Sequence, residues 1–103
     1  MDCVYTNYIF GSGVPVTNAQ GGTLLLEVPK DACRGRMLFY KVSTGDEIYI
    51  TFAGKEPKTT QFAFRLTDDF PTYELPAIIP GELRALSSDA SASLDFFIPF
   101  SRG

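Results

Sequence analysis

The stretch from Gly45 to Pro99 most constrains the fold, because it alternates short apolar and aromatic runs with turn residues. Its runs EIYITFA, QFAFRL, ELRALS and ASLDFFIP are each closed by Gly, Pro, Asp or Ser. This spacing is typical of short antiparallel strands joined by turns. A chain of 103 residues is long enough for one domain with one core. We therefore predict a single all-β domain over residues 1–103.

The predicted strands need two layers, since a single sheet of them would leave one apolar face in water. The fold class that we predict is a small antiparallel β-sandwich or β-barrel of seven to eight short strands. Residues 1–13 should form either an N-terminal arm or an edge strand. The predicted strands are residues 3–10, 23–28, 36–42, 47–53, 61–66, 73–75, 82–86 and 92–98.

Turn residues predict how these strands connect. Residues 36–42 and 47–53 should form a hairpin across the polar segment 43–46, and residues 82–86 and 92–98 should form the last strand pair. The glycines at positions 11 and 13 should end the first strand, and residues 30–35 should form a loop that includes one helical turn.

Alternation along the predicted strands indicates which side chains face the core. In the last strand, inward Leu94, Phe96, Ile98 and Phe100 alternate with Asp95 and Phe97. The same pattern predicts further inward residues: Leu24, Leu26, Val28, Phe39, Ile48, Ile50, Phe52, Phe62, Phe64 and Leu66.

Charge and cysteine content restrict the classes of partner. The net charge is −3 and the 9 Lys and Arg residues are dispersed, which argues against a nucleic acid partner. No apolar run is long enough to span a bilayer, and Asp2 stands where a signal peptide would carry positive charge. Cys3 and Cys33 are predicted to be reduced thiols, with a Cys3–Cys33 disulfide as the alternative.

The sequence offers few residues for catalysis. It contains no histidine, so nucleophile–imidazole pairs and imidazole metal sites are excluded. Two carboxylate pairs, Asp46-Glu47 and Asp68-Asp69, lie in predicted turns, where acidic residues are favoured for local hydrogen bonds. We also considered calcium binding by Asp68, Asp69 and Asp89, but the loops lack alternating oxygen ligands. We predict no enzyme activity, no metal and no cofactor.

Aromatic side chains outside the core pattern are the candidates for a protein interface. Exposed aromatic residues on a half-polar strand are typical of a contact surface, although sheet curvature or a loop could cover them instead. The predicted interface residues are Tyr5, Tyr8, Phe10, Tyr49, Phe97 and Phe100. Phe100 is included although its alternation groups it with the core.

The layout of the chain resembles that of a known class of proteins. Val28-Pro29, the run DEIYITFAG at residues 46–54, GELRALS at 81–87 and ASLDF at 92–96 resemble small auxiliary virion proteins of tailed bacteriophages. The resemblance implies a β-sandwich or β-barrel that decorates or cements the outside of a capsid assembled in the host cytoplasm. It further implies the major capsid protein as partner and a homo-oligomer, with a trimer favoured. The predicted function is a capsid decoration or cement protein.

Other functions are compatible with the residues. A phage tail or baseplate component belongs to the same virion class. A carbohydrate-binding module would stack sugar rings on Tyr40, Tyr49 or Tyr73. A small acidic β domain could also be a protein-binding module that inhibits a host enzyme.

Overall fold

The computed structural model describes residues 7–102, which form an all-β domain without a helix. The predicted fold class is confirmed, with nine strands rather than seven or eight. They are β1 Asn7–Val16, β2 Thr23–Val28, β3 Ala32–Gly35, β4 Met37–Lys41, β5 Ile48–Thr51, β6 Phe64–Leu66, β7 Thr72–Leu75, β8 Gly81–Ser87 and β9 Ala92–Arg102.

The strands build two antiparallel sheets. One sheet has five strands in the order β1-β9-β4-β7, and β3 pairs with the far end of β9. The other has four strands in the order β2-β8-β5-β6. β9 is the longest strand, and it organises the five-stranded sheet because it pairs with β1 on one side and with β4 and β3 on the other. Among the described strands, β1 and β7 lie at the edges of this sheet, and the position of β7 agrees with the edge strand predicted for residues 73–75.

The core lies between the two sheets. β9 follows its predicted alternation, since Leu94, Phe96 and Ile98 are buried while Phe97 is exposed. Burial of each such side chain contributes about 1.5–3 kcal/mol. The other buried apolar residues of the core are Val16, Val28, Ala32, Met37, Phe39, Ile48, Ile50, Phe64, Leu66, Leu83, Ala85, Ala92 and Phe100.

The two predicted strand pairs are wrong, because each connection crosses from one sheet to the other. β4 pairs with β7 and β9, whereas β5 pairs with β6 and β8. Likewise β8 belongs to the four-stranded sheet and β9 to the five-stranded sheet. In both cases the apolar faces of the two strands meet across the core, which buries them more completely than a flat hairpin would.

The first crossing, between β4 and β5, begins at a buried lysine that is paired with one buried and one half-exposed carboxylate. Lys41 is the last residue of β4, and its side chain is almost fully buried. Its Nζ donates to Asp46 Oδ1 at 3.1 Å, to Asp68 Oδ1 at 2.6 Å and to the Ser43 carbonyl at 2.6 Å. We call Lys41, Asp46 and Asp68 the lysine cluster. A buried ammonium group needs such partners, because leaving water is costly for an unpaired charge.

Serine and backbone groups extend the lysine cluster to neighbouring strands. Ser43 Oγ donates to Asp46 Oδ1 at 3.0 Å and accepts from the Ser93 N–H of β9 at 3.0 Å. The Gly45 N–H donates to Asp68. These bonds tie the first crossing to the turn between β6 and β7 and to the start of β9. Among the described residues, no buried side-chain nitrogen or oxygen lacks a hydrogen-bond partner.

A β-bulge explains why β1 does not end at its glycines. The strand continues to Val16, and its register with β9 shifts between Gly11 and Val14. A Cβ at Gly11 would lie 2.5 Å from the Phe96 ring, so the strand can approach β9 here only with glycine. Gly13 has a φ of 60° and its N–H donates to Asp95 Oδ1 at 2.6 Å. The glycines therefore kink the strand rather than end it.

Other irregularities overturn three further local predictions. A register shift between Leu24 and Leu26 leaves Leu24 exposed, while Leu25 and Leu26 pack against the core. β6 starts only at Phe64, and the bend before it leaves Phe62 exposed rather than inward. The predicted loop over residues 30–35 contains β3, which pairs with the end of β9.

The cysteine prediction is only partly covered by the structure. Cys33 is an exposed free cysteine in β3. Cys3 lies outside the described residues, as does the first half of the predicted first strand, residues 3–6.

We predict that Asp46→Ala lowers the free energy of unfolding by about 3 kcal/mol, because it removes one carboxylate from a buried ammonium group. Urea denaturation measures this change. The matched control is Asp69→Ala, which removes the same charge from an exposed side chain and should change stability by less than about 0.5 kcal/mol. Equal stabilities of the two variants would contradict a structural role for the lysine cluster.

Candidate functional site

Three aromatic side chains form a patch on the outer face of the five-stranded sheet. Phe10 of β1 lies directly opposite Phe97 of β9, and Tyr8 lies two residues from Phe10 on the same face of β1. Residues opposite each other in an antiparallel pair point to the same side of the sheet. We call Tyr8, Phe10 and Phe97 the aromatic patch.

The rings of the aromatic patch contact one another but remain open to solvent. Tyr8 and Phe10 are each 64% exposed, and Phe97 is 44% exposed. The Tyr8 ring centroid lies 6.0 Å from that of Phe10 and 5.9 Å from that of Phe97. These distances are in the range of favourable ring pairs, so the three rings support one another. The result is a contiguous apolar surface that would gain from burial against a partner.

A shallow depression adjoins the aromatic patch and lies over β9, β4 and β7, with β4 in the middle. Leu38 of β4 lies opposite Phe97 on one side and opposite Glu74 on the other. One pair further along, Tyr40 lies opposite Asp95. Phe10 and Phe97 form part of the rim, and the depression has a volume of about 580 Å³. Its size is within the range of sites that bind small groups or side chains.

Tyr49, one of the predicted interface residues, is buried in the described structure. It is only 7% exposed on the outer face of the four-stranded sheet. The Phe62 ring packs on the Tyr49 ring with a centroid distance of 5.1 Å. The Tyr49 hydroxyl donates to Glu47 Oε1 at 2.7 Å. Burial, followed by this hydrogen bond, raises the pKa of Tyr49. The bend that directs Phe62 outward thus covers Tyr49.

Phe100, another of the predicted interface residues, is buried as well. Phe100 is 2% exposed and belongs to the core, as its alternation with Ile98 indicates. Tyr5 lies outside the described residues. Of the six predicted interface residues, the structure therefore brings together Tyr8, Phe10 and Phe97.

Sequence reasoning did not include Leu38 and Tyr40 in the predicted interface. Both alternate with inward Met37 and Phe39, and this alternation was the available signal. Tyr40 was considered only for sugar stacking. Tyr73, another tyrosine predicted for sugar stacking, stacks on the core residue Phe64 at a centroid distance of 3.9 Å, so one face of its ring is covered.

The candidate carboxylates are engaged in structural contacts. Asp46 and Asp68 both bind Lys41, and Glu47 accepts from Tyr49 and lies 3.6 Å from Arg65 Nη1. Asp69 is exposed, as predicted for a turn residue. Within residues 7–102, no group of three or more Cys, Asp or Glu side chains is arranged to hold a metal ion.

The charges of the lysine cluster reinforce one another. Burial lowers the pKa of Lys41, but the hydrogen bonds to Asp68 and Asp46 outweigh it, so the net shift is upward. The Lys41 hydrogen bond, followed by the Gly45 N–H, lowers the pKa of Asp68. Both shifts favour the charged forms at neutral pH.

Comparison with protein-family models, with curated proteins and with solved structures finds no match to this chain. The part of the chain that the structure describes contains no helix long and apolar enough to cross a membrane.

The lowered pKa of Asp68 predicts how stability depends on acid. A carboxyl group with a lower pKa in the folded state stabilises the protein above the unfolded-state pKa of 3.8. This contribution is lost as the pH falls through the folded-state pKa. The free energy of unfolding of the wild type should therefore exceed that of Asp68→Asn near pH 7, and the two should converge as the pH falls below 3.8 and through the lowered folded-state pKa of Asp68.

Urea denaturation as a function of pH tests this expectation. The matched control Asp69→Asn should follow the wild-type curve throughout, because Asp69 lies in the same turn and is exposed. A constant difference between the wild type and Asp68→Asn at every pH would mean that the Asp68 charge does not contribute.

Proposed function

We propose that this protein is a structural virion protein that binds the outside of a bacteriophage capsid and reinforces it by bridging neighbouring capsid subunits. The observation that carries the proposal is the aromatic patch on the outer face of a stiff two-sheet domain. Tyr8, Phe10 and Phe97 provide apolar surface that does not contribute to the core of the same chain. A protein that cements a shell needs such surface on a rigid frame.

The physical basis of the proposal is the burial of aromatic side chains on association. Tyr and Phe are enriched in interface cores, and a few central aromatic residues commonly supply most of the binding energy. The strands that carry the patch are held by the core, so little ordering entropy is lost on binding. β1 is also an edge strand of the sheet that the structure describes, and its outer edge could pair with a strand of a neighbouring subunit.

The proposal includes the assembly state. Copies of the protein form a homo-oligomer, with a trimer favoured, at junctions of the major capsid protein. This part is supported by the resemblance of strand layout, and the aromatic patch supplies a surface for the contact. A location on the tail or baseplate is the alternative within the virion class.

The first prediction of this proposal concerns location. Purified phage particles should contain the protein in a fixed ratio to the major capsid protein, and tail-less heads should retain it. Quantitative mass spectrometry of heads and tails separated on a density gradient measures both ratios. Recovery with the tails would support the tail component instead, and absence from both fractions would contradict a virion role.

The second prediction concerns the aromatic patch. The double variant Phe10→Thr and Phe97→Thr should bind heads that lack the protein at least about tenfold more weakly than the wild type, because it removes two exposed rings. Threonine preserves β propensity, so the fold should remain. Co-sedimentation with such heads measures binding.

The matched control is Phe70→Thr. Phe70 is 75% exposed in the turn before β7, away from the aromatic patch, so its loss should leave head binding unchanged. Equal binding by the double variant and the control would mean that the patch is not the contact surface.

A further inference from the structure

The outer face of the five-stranded sheet combines aromatic rings with carboxylates. Along one row, Phe10, Phe97, Leu38 and Glu74 stand side by side on β1, β9, β4 and β7. In the next row, Asp95 stands beside Tyr40. Neighbouring positions across antiparallel strands are about 5 Å apart, so each acid lies within reach of an aromatic ring or of Leu38. These residues line the depression beside the aromatic patch.

The charged side chains that line this depression are all acidic. Asp95 and Glu74 both line it, and none of the described residues that line it is Lys or Arg. Arg36, outside the lining, lies 3.4 Å from Glu74, but both side chains are half exposed and such a pair is weak. Asp95 Oδ1 accepts from the Gly13 N–H, and a carboxylate can accept further hydrogen bonds.

We propose that this depression binds an arginine side chain presented by the protein's partner. The planar guanidinium group stacks on aromatic rings and donates to carboxylates at the same time, which suits a lining that includes Phe97, Tyr40 and Asp95. Lysine would bind more weakly, because its compact ammonium group is more strongly hydrated and does not stack. The inference deepens the proposed function, on which it rests for the identity of the partner as a capsid subunit.

The test uses the full chain and small probes. The probe is acetyl-glycyl-arginyl-glycinamide, and the matched probe replaces arginine with citrulline, which has nearly the same shape without the charge. Amide chemical shifts of isotope-labelled protein are followed during titration. We expect shifts centred on Leu38, Tyr40, Asp95 and Phe97, with a dissociation constant for the citrulline probe at least about tenfold higher. Binding of the arginine probe should weaken as salt is added.

Two variants assign the effect to the depression. Asp95→Asn keeps an oxygen to accept from Gly13 but removes the charge, so it should weaken binding of the arginine probe about tenfold. Asp69→Asn removes the same charge from an exposed turn and should leave the dissociation constant unchanged. Equal affinity for the arginine and citrulline probes, or shifts away from the depression, would overturn the inference.

Other outcomes are also decisive. Shifts at the depression with cellohexaose but not with the arginine probe would overturn the inference in favour of a sugar site. Failure to bind the arginine probe, together with stoichiometric copies on heads, would reject the inference and leave the proposed function standing. Arginine binding at the depression, together with the absence of the protein from virions, would support the arginine site and reject the proposed function.

Discussion

The structure depends on how the buried charge of Lys41 is compensated. An ammonium group at the end of a core strand is tolerated only with close acceptors, and here these come from the first crossing and from the turn between β6 and β7. Because its partners lie in separate segments, the lysine cluster fixes where the chain passes from the five-stranded to the four-stranded sheet. Ser43 links the same crossing to the start of β9, because its Oγ accepts a hydrogen bond from the Ser93 N–H.

β9 separates the two surfaces that matter for function. Its inward residues Leu94, Phe96 and Ile98 belong to the core, and its outward residues Asp95 and Phe97 belong to the candidate site. A slip of one residue would exchange these two sets, so core packing also sets the position of the aromatic patch. The bulge in β1 also contributes to the candidate site, because it brings the Gly13 N–H within hydrogen-bond distance of the Asp95 carboxylate.

Local irregularity limited what could be predicted of the candidate site. Alternation correctly separated Phe96 from Phe97, because β9 is long and regular. It failed for Leu24 and Phe62, where a register shift and a bend reverse the facing of the side chains. The burial of Tyr49 has a related reason: its own strand alternates as expected, but Phe62 covers it. Such coverage depends on a different segment of the chain.

Strand periodicity is a local property of the chain, so the all-β class, the inward face of β9 and the outward position of Phe97 could be predicted from the residues alone. The assignment of β4 and β5 to different sheets and the joining of Tyr8, Phe10 and Phe97 into one surface became visible only in the folded chain. The physical reason is that sheet membership and side-chain neighbours depend on contacts between residues far apart in sequence. Periodicity indicates which side chains share a face, and the packing of the whole chain selects their partners.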